Sequence, residues 1–239
     1  MRATENKKPR GKTKRAPGSR LTQEDVDEIF RRFHAADPHP KTELHYQDPF
    51  TLLVAVVLSA QATDASVNRA TPELFRIADT PEKLAGLGEA ALTEKIKTIG
   101  LYRSKARNLI ALARKLVDEH GSKVPASREV LESLPGVGRK TANVVLNVAF
   151  GAKTIAIDTH AFRVANRTGL APGKTPLKVE EILNRIVPDR YKHNAHHWLI
   201  LHGRYVCKAR KPECWRCLIA DICLFKPKTT EYISGKPMT

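Results

Sequence analysis

The sequence predicts an all-α fold, and three features carry that reading. Apolar residues recur at helical spacing, as at 109, 112, 113 and 116. Helix-start residues punctuate the chain at Thr22, Asp48-Pro49, Thr63-Asp64, Thr80-Pro81 and Ser127. The single strand-like stretch, Thr154–Ile157, is short and solitary. In chain order, Leu21–Phe33 opens with Thr22 as N-cap and Asp25 three residues on. Asp48 caps FTLLVAVVLSA, with Pro49 at the first helical position. That segment is apolar all round, which predicts a buried central helix. Leu101–Glu119 follows, with Gly121 as its stop. Thr141–Phe150, Thr159–Thr168, Pro176–Val187 and His193–Val206 complete the set. A short echo lays IGLYRSKARNLI (99–110) over LPGVGRKTANVV (134–145), pairing Gly100 with Gly136 and Arg103 with Arg139. It suggests two helix–turn–helix units of similar build.

The formal charge of the 239 residues is +16, too basic for an ordinary enzyme of small metabolites. It predicts a polyanionic partner, nucleic acid or an anionic membrane surface. The longest apolar run, Phe50–Ala60, is too short to span a bilayer, which needs roughly 20 residues. No segment near the start reads as a secretory signal, so a cytoplasmic protein is expected, or a nuclear one in a eukaryote. Residues 1–20 carry +7 with two Pro and two Gly, and read as a disordered basic arm. The remaining residues keep +9, so the folded part is basic too.

LPGVGRKTA (134–142) places two glycines in a tight turn between helices. The new helix presents free N–H groups and a positive dipole end, and Gly136 and Gly138 let a phosphate approach. An ordinary glycine-rich connection is the alternative. Lys140 sits in the first helical turn, facing that positive end at a cost of perhaps ~0.5 kcal/mol. The same field favours the neutral amine, as partial burial would, and a neutral amine is a nucleophile. A plain phosphate contact is the competing role. In IAIDTH, Asp158 is an N-cap whose carboxylate can also stabilise a nearby cation such as a sugar oxocarbenium. His160 reads as packing or hydrogen bonding rather than catalysis.

All four cysteines fall in C-x6-C-x2-C-x5-C: Cys207, Cys214, Cys217 and Cys223. Clustering of this kind points to metal in a reducing compartment, not a disulfide framework. One C-x2-C pair with two outlying cysteines favours an iron–sulfur cluster, with zinc as the alternative. Lys208, Arg210 and Lys211 lie between the first two cysteines, in a loop that would be pinned by metal and could grip phosphate.

The hairpin, IAIDTH and the cysteine spacing occur in this order, with LSAQATD (58–64), IGLYRSKA (99–106) and HHWLILHGRYVC (196–207). Over residues 22–225 the chain resembles the helix–hairpin–helix DNA glycosylase superfamily, in its iron–sulfur branch. The resemblance implies two helical domains. Residues 42–152 would be a six-helix barrel carrying the hairpin. Residues 21–41 and 153–239 would hold Asp158 and a 4Fe–4S cluster on the four cysteines. It implies a monomer that acts on damaged double-stranded DNA, excises oxidised pyrimidines and then cuts the strand. By that resemblance Lys140 attacks C1′ of a flipped nucleotide, and Asp158 activates the lysine or stabilises the sugar cation. Gln61 matches the family residue that fills the gap left by the flipped base, and Leu101 the wedge from the other side. Their plainer readings are a helix-end glutamine and a core leucine. Arg103 departs from the family's usual Asn and would add a phosphate contact. Gly136, Gly138 and Arg139 would hold the DNA backbone.

Overall fold

A computed structural model describes residues 14–230 and the backbone of 232–233 and 236–237. The described residues form eleven α-helices and one two-stranded hairpin, β1 (Tyr232–Ile233) against β2 (Lys236–Pro237). No helix among them is long and apolar enough to cross a membrane. Two compact units result: Lys41–Ala156, and the residues up to Pro40 together with those from Ile157 on.

The first unit contains α2 (Pro49–Leu58), α3 (Asp64–Ile77), α4 (Pro81–Leu87), α5 (Glu89–Ile96), α6 (Tyr102–His120), α7 (Arg128–Glu132) and α8 (Arg139–Phe150). Its centre is α2, buried from Phe50 through Leu58 and packed against α3, α6 and α8. Asp48 starts it by accepting from the Thr51 N–H, as the cap pattern predicts. Seven helices stand where the resemblance implies six. Gly88, at φ +78°, separates α4, which opens at the expected start Thr80-Pro81, from α5. The start of α5 has no side-chain cap, which is why its sequence offers no signal. The segment after α8 stays with this unit to Ala156. Asn147 Nδ2 donates to the carbonyls of Ala152 and Thr154, and Thr154 Oγ1 to that of Asn143. Thr154–Ile157 forms no strand among the described residues.

The second unit holds α1 (Gln23–Ala36), α9 (Thr159–Thr168), α10 (Pro176–Ile186) and α11 (Lys192–Tyr205). Thr22 and Asp25 close the predicted capping box on α1. Phe30 and Phe33 of α1 meet Tyr191, Trp198 and His202 in an aromatic core. The close approach of α11 to the start of α9 needs Gly203, where a Cβ would lie 2.8 Å from that of His160.

The basic arm expected over 1–20 is shorter than its composition implies. Residues 1–13 lie outside the described residues. Residues 15–22 fold into a turn closed by a bridge between Arg15 and Thr22, with Ala16 and Ser19 buried. Arg20 N–H and Ser19 Oγ both donate to the Gly169 carbonyl. Those hydrogen bonds and the apolar contact of Ala16 outweigh the local charge, which composition alone weighs too heavily.

Candidate active site and cluster pocket

The hairpin is built almost entirely by its own backbone. Ser127 caps α7, and the turn closes through Leu134 N–H to the Leu131 carbonyl and Val137 N–H to that of Leu134. Gly136 is at φ +80°, and a Cβ there would sit 3.0 Å from Asn108 Cβ, so the fold itself demands this glycine. Gly138 differs: its φ is −100°, and a Cβ would meet nothing within 4 Å. The fold leaves Gly138 free to be something else, and α8 starts without a side-chain cap. Helix α8 begins at Arg139, two residues before the expected start, which puts Lys140 at its second position. Gly136, Gly138, Arg139 and Lys140 all reach the surface, whereas Thr141–Asn147 are buried and anchor the helix. The chain around Lys140 therefore does not supply the burial that would favour a neutral amine.

Gln61 and Leu101 lie in neighbouring loops of the same unit, where a Cβ at Gly100 would be 3.6 Å from the Gln61 carbonyl. Both hold left-handed backbone, at φ +53° and +60°. The plain reading of Leu101 as a core leucine is overturned, since it is 58% exposed. Arg103 is exposed and lies 5.3 Å over the Tyr102 ring.

Asp158 caps α9. Its Oδ1 accepts from the N–H groups of His160 and Ala161 at 2.9 and 2.7 Å, and Oδ2 lies 3.0 Å from His160 Nδ1. The cap and the hydrogen-bonding role of His160 are thus both realised, and the carboxylate is held in one orientation.

The four cysteines line one pocket with Arg167, His202, Phe225 and Lys228, and none forms a disulfide. Among the described residues no three His, Cys, Asp or Glu side chains lie close enough to hold a single metal ion. Four thiols around one pocket are the donor set that a multi-iron cluster takes. Burial pushes the Cys217 thiol up to about 11 and raises that of Cys207. Thiolates here therefore need a cationic centre between them. Two donors face the sulfurs at 3.5 Å, Arg167 Nη1 to Cys207 and Phe225 N–H to Cys223, and His202 Nε2 lies 3.5 Å from Cys217. Burial holds His202 down to about 4.

The basic loop offers fewer open cations than its sequence promises. Lys208 Nζ is paired with Glu213 at 2.6 Å, and Glu213 also takes Arg216. Arg210 and Lys211 are exposed and make no ion pair among the described residues. Sequence reasoning missed the residues that shape this loop. Arg167 donates to the carbonyls of Lys208 and Ala209, and Arg163 to those of Cys207 and Gly203. Their spacing of four on α9 was the available signal.

The chain matches the model of the HhH-GPD superfamily base excision DNA repair proteins over residues 54–189. It also matches the iron–sulfur binding domain of endonuclease III over residues 207–223. It belongs to the HhH-GPD superfamily of base excision DNA repair proteins. Within that superfamily, curated relatives that it matches over most of its length are endonucleases III. That of Haemophilus influenzae is 58% identical over 201 residues, covering 84% of this chain and 95% of the relative. That of Escherichia coli K12 is 57% identical over the same length. A solved structure of a trapped endonuclease III–DNA covalent intermediate is similar at TM-score 0.81 and 43% identity, covering 85% of this chain and 96% of that one. A thermostable thymine-DNA glycosylase, at 24% identity and TM-score 0.76, shares the fold. The cofactor is a 4Fe–4S cluster.

Proposed function

We propose that this protein is a bifunctional DNA glycosylase and AP lyase of base excision repair, acting on oxidised pyrimidines in duplex DNA. The observation that carries the reading is the hairpin: a lysine at the second position of an uncapped, exposed helix start, beside a glycine that the fold does not require. Relatives more than half identical to it are endonucleases III, and a structural neighbour is a covalent protein–DNA intermediate.

The exposed N–H groups of α8 and the side chains of Arg139, Arg210 and Lys211 bind backbone phosphates without reading sequence. The Lys140 amine, once deprotonated, attacks C1′ of the flipped nucleotide. The C1′–N bond to the base breaks, and the base leaves with the bonding electrons and gains a proton. Ring opening gives a C1′=N Schiff base to Lys140. Loss of a C2′ proton then expels the 3′ phosphate by β-elimination, and water releases the lysine. Asp158, fixed by its three donors, supplies the negative charge that stabilises the cationic sugar. The cluster, held by Cys207, Cys214, Cys217 and Cys223, supplies structure to the basic loop. On the same reading the enzyme works as a monomer at the bacterial nucleoid.

The test is borohydride trapping on a duplex carrying one oxidised pyrimidine. The wild type is expected to form a covalent adduct, and Lys140→Ala to form none while still binding the duplex. Adduct in that variant would remove Lys140 as nucleophile.

A further inference from the structure

Lys105 breaks two local rules at once. It is a lysine with only 5% of its surface exposed, and it sits in the first turns of α6, near the positive end of that helix. Its own helix therefore gives no reason for the charge. The reason lies on α2. Lys105 Nζ donates to the Leu58 carbonyl at 2.8 Å. Leu58 is the last residue of α2, a helix whose final turn has no basic residue of its own. The ammonium thus satisfies an orphan carbonyl and meets the negative end of the α2 dipole.

The position is telling because of what flanks it. Gln61 lies three residues beyond Leu58, and Leu101 is the N-cap of α6. The backbone N–H of Lys105 donates to the Leu101 carbonyl at 3.1 Å, joined there by Ser104 Oγ at 3.0 Å. Lys105 thus bonds Leu101 through its backbone and, through its ammonium, the end of α2 from which the Gln61 turn departs. Two of the three left-handed non-glycine residues among those described are these two. Such backbone persists only where its surroundings over-determine it. Burial also pulls the Lys105 amine below the usual lysine range, so the cation is kept against a desolvation cost.

We infer that Lys105 is a positioning residue that fixes the spacing between the Gln61 and Leu101 loops, so that both enter the duplex together when a nucleotide is flipped. The inference rests on the reading of Gln61 and Leu101 as the residues that fill the opened stack. Without the ammonium the two loops separate, and opening of paired DNA suffers while chemistry on an already exposed sugar does not.

The test uses the full-length holoenzyme and two substrates: a duplex with one thymine glycol beside 2-aminopurine, and a single-stranded oligonucleotide with one abasic site. Lys105→Met is expected to cut excision from the duplex tenfold or more and to weaken the 2-aminopurine signal. Cleavage of the single-stranded abasic site should stay within about twofold, which also shows that the variant is folded. Lys105→Arg, which keeps a cation, should regain part of the duplex activity. Adding Lys105→Met to Leu101→Ala should lower duplex excision little further, because neighbours in one device are not additive. Equal loss on both substrates would reduce Lys105 to a structural residue and overturn the inference. So would unchanged 2-aminopurine signal in Lys105→Met when Gln61→Ala and Leu101→Ala weaken it. If those two variants are themselves silent, the wedge reading fails and takes this inference with it.

Discussion

The hairpin around Lys140 and the cluster loop after Cys207 both carry cations to the surface, but they are made rigid in opposite ways. The hairpin is stiffened from within: its turn closes on its own backbone, and Gly136 satisfies both a positive φ and a close contact with Asn108. The loop is stiffened from outside. Arg163 and Arg167 of α9 hold its carbonyls from about 40 positions away in sequence, and Glu213 ties down one of its lysines. A site built by local hydrogen bonds is a contiguous motif. A site built by remote arginines is a composition of charges until the chain folds.

Removing the outside support should have the largest effect. Arg167→Ala deletes charged hydrogen bonds to two carbonyls and to Cys207 Sγ, and should destabilise the loop by about 2 kcal/mol. Iron retention during dialysis and limited proteolysis after Cys207 would both report it. Retention equal to wild type would mean that the cluster needs no help from α9.

Inside the hairpin the two glycines should separate fold from function. Gly136→Ala forces a Cβ into the left-handed region and against Asn108, at about 1–2 kcal/mol, read as a lower melting temperature. Gly138→Ala should melt within about 0.5 kcal/mol of wild type, yet bind duplex DNA several-fold more weakly. Unchanged affinity in Gly138→Ala would remove the phosphate role of the uncapped α8 start.

The smallest effect is expected in the salt dependence of binding. Arg210→Ala and Lys211→Ala should each flatten the log–log slope by about 0.9 for every phosphate left without its cation. Lys208→Ala should flatten it less, because Glu213 already holds that ammonium. Equal drops for all three would mean that the Glu213 pair opens on DNA.

Helix starts were legible wherever a side chain supplies the cap, as at Thr22, Asp48, Thr63, Thr80 and Ser127. Helix α5 was not, because its N-cap is Gly88 without a capping side chain. Asp158 was legible as an N-cap for the same local reason that revealed the others. Lys105 was illegible: it lies within IGLYRSKA, but its meaning depends on a carbonyl 47 residues away. Gly203 likewise reads as a blemish in α11 until His160 lies beside it.

By itself the sequence determined the all-α class, the helix caps, the hairpin with its lysine and the cysteine set, because each depends on residues close to one another along the chain. Only the tertiary structure decided that Leu101 is exposed rather than core and that residues 15–20 dock instead of trailing. It alone paired Lys208 and tied Lys105 to the end of α2. Local hydrogen bonds carry no chain-closure entropy beyond a turn, so they are written in adjacent letters. Charge pairing, burial and strained backbone depend on contacts whose entropy only the whole core can offset.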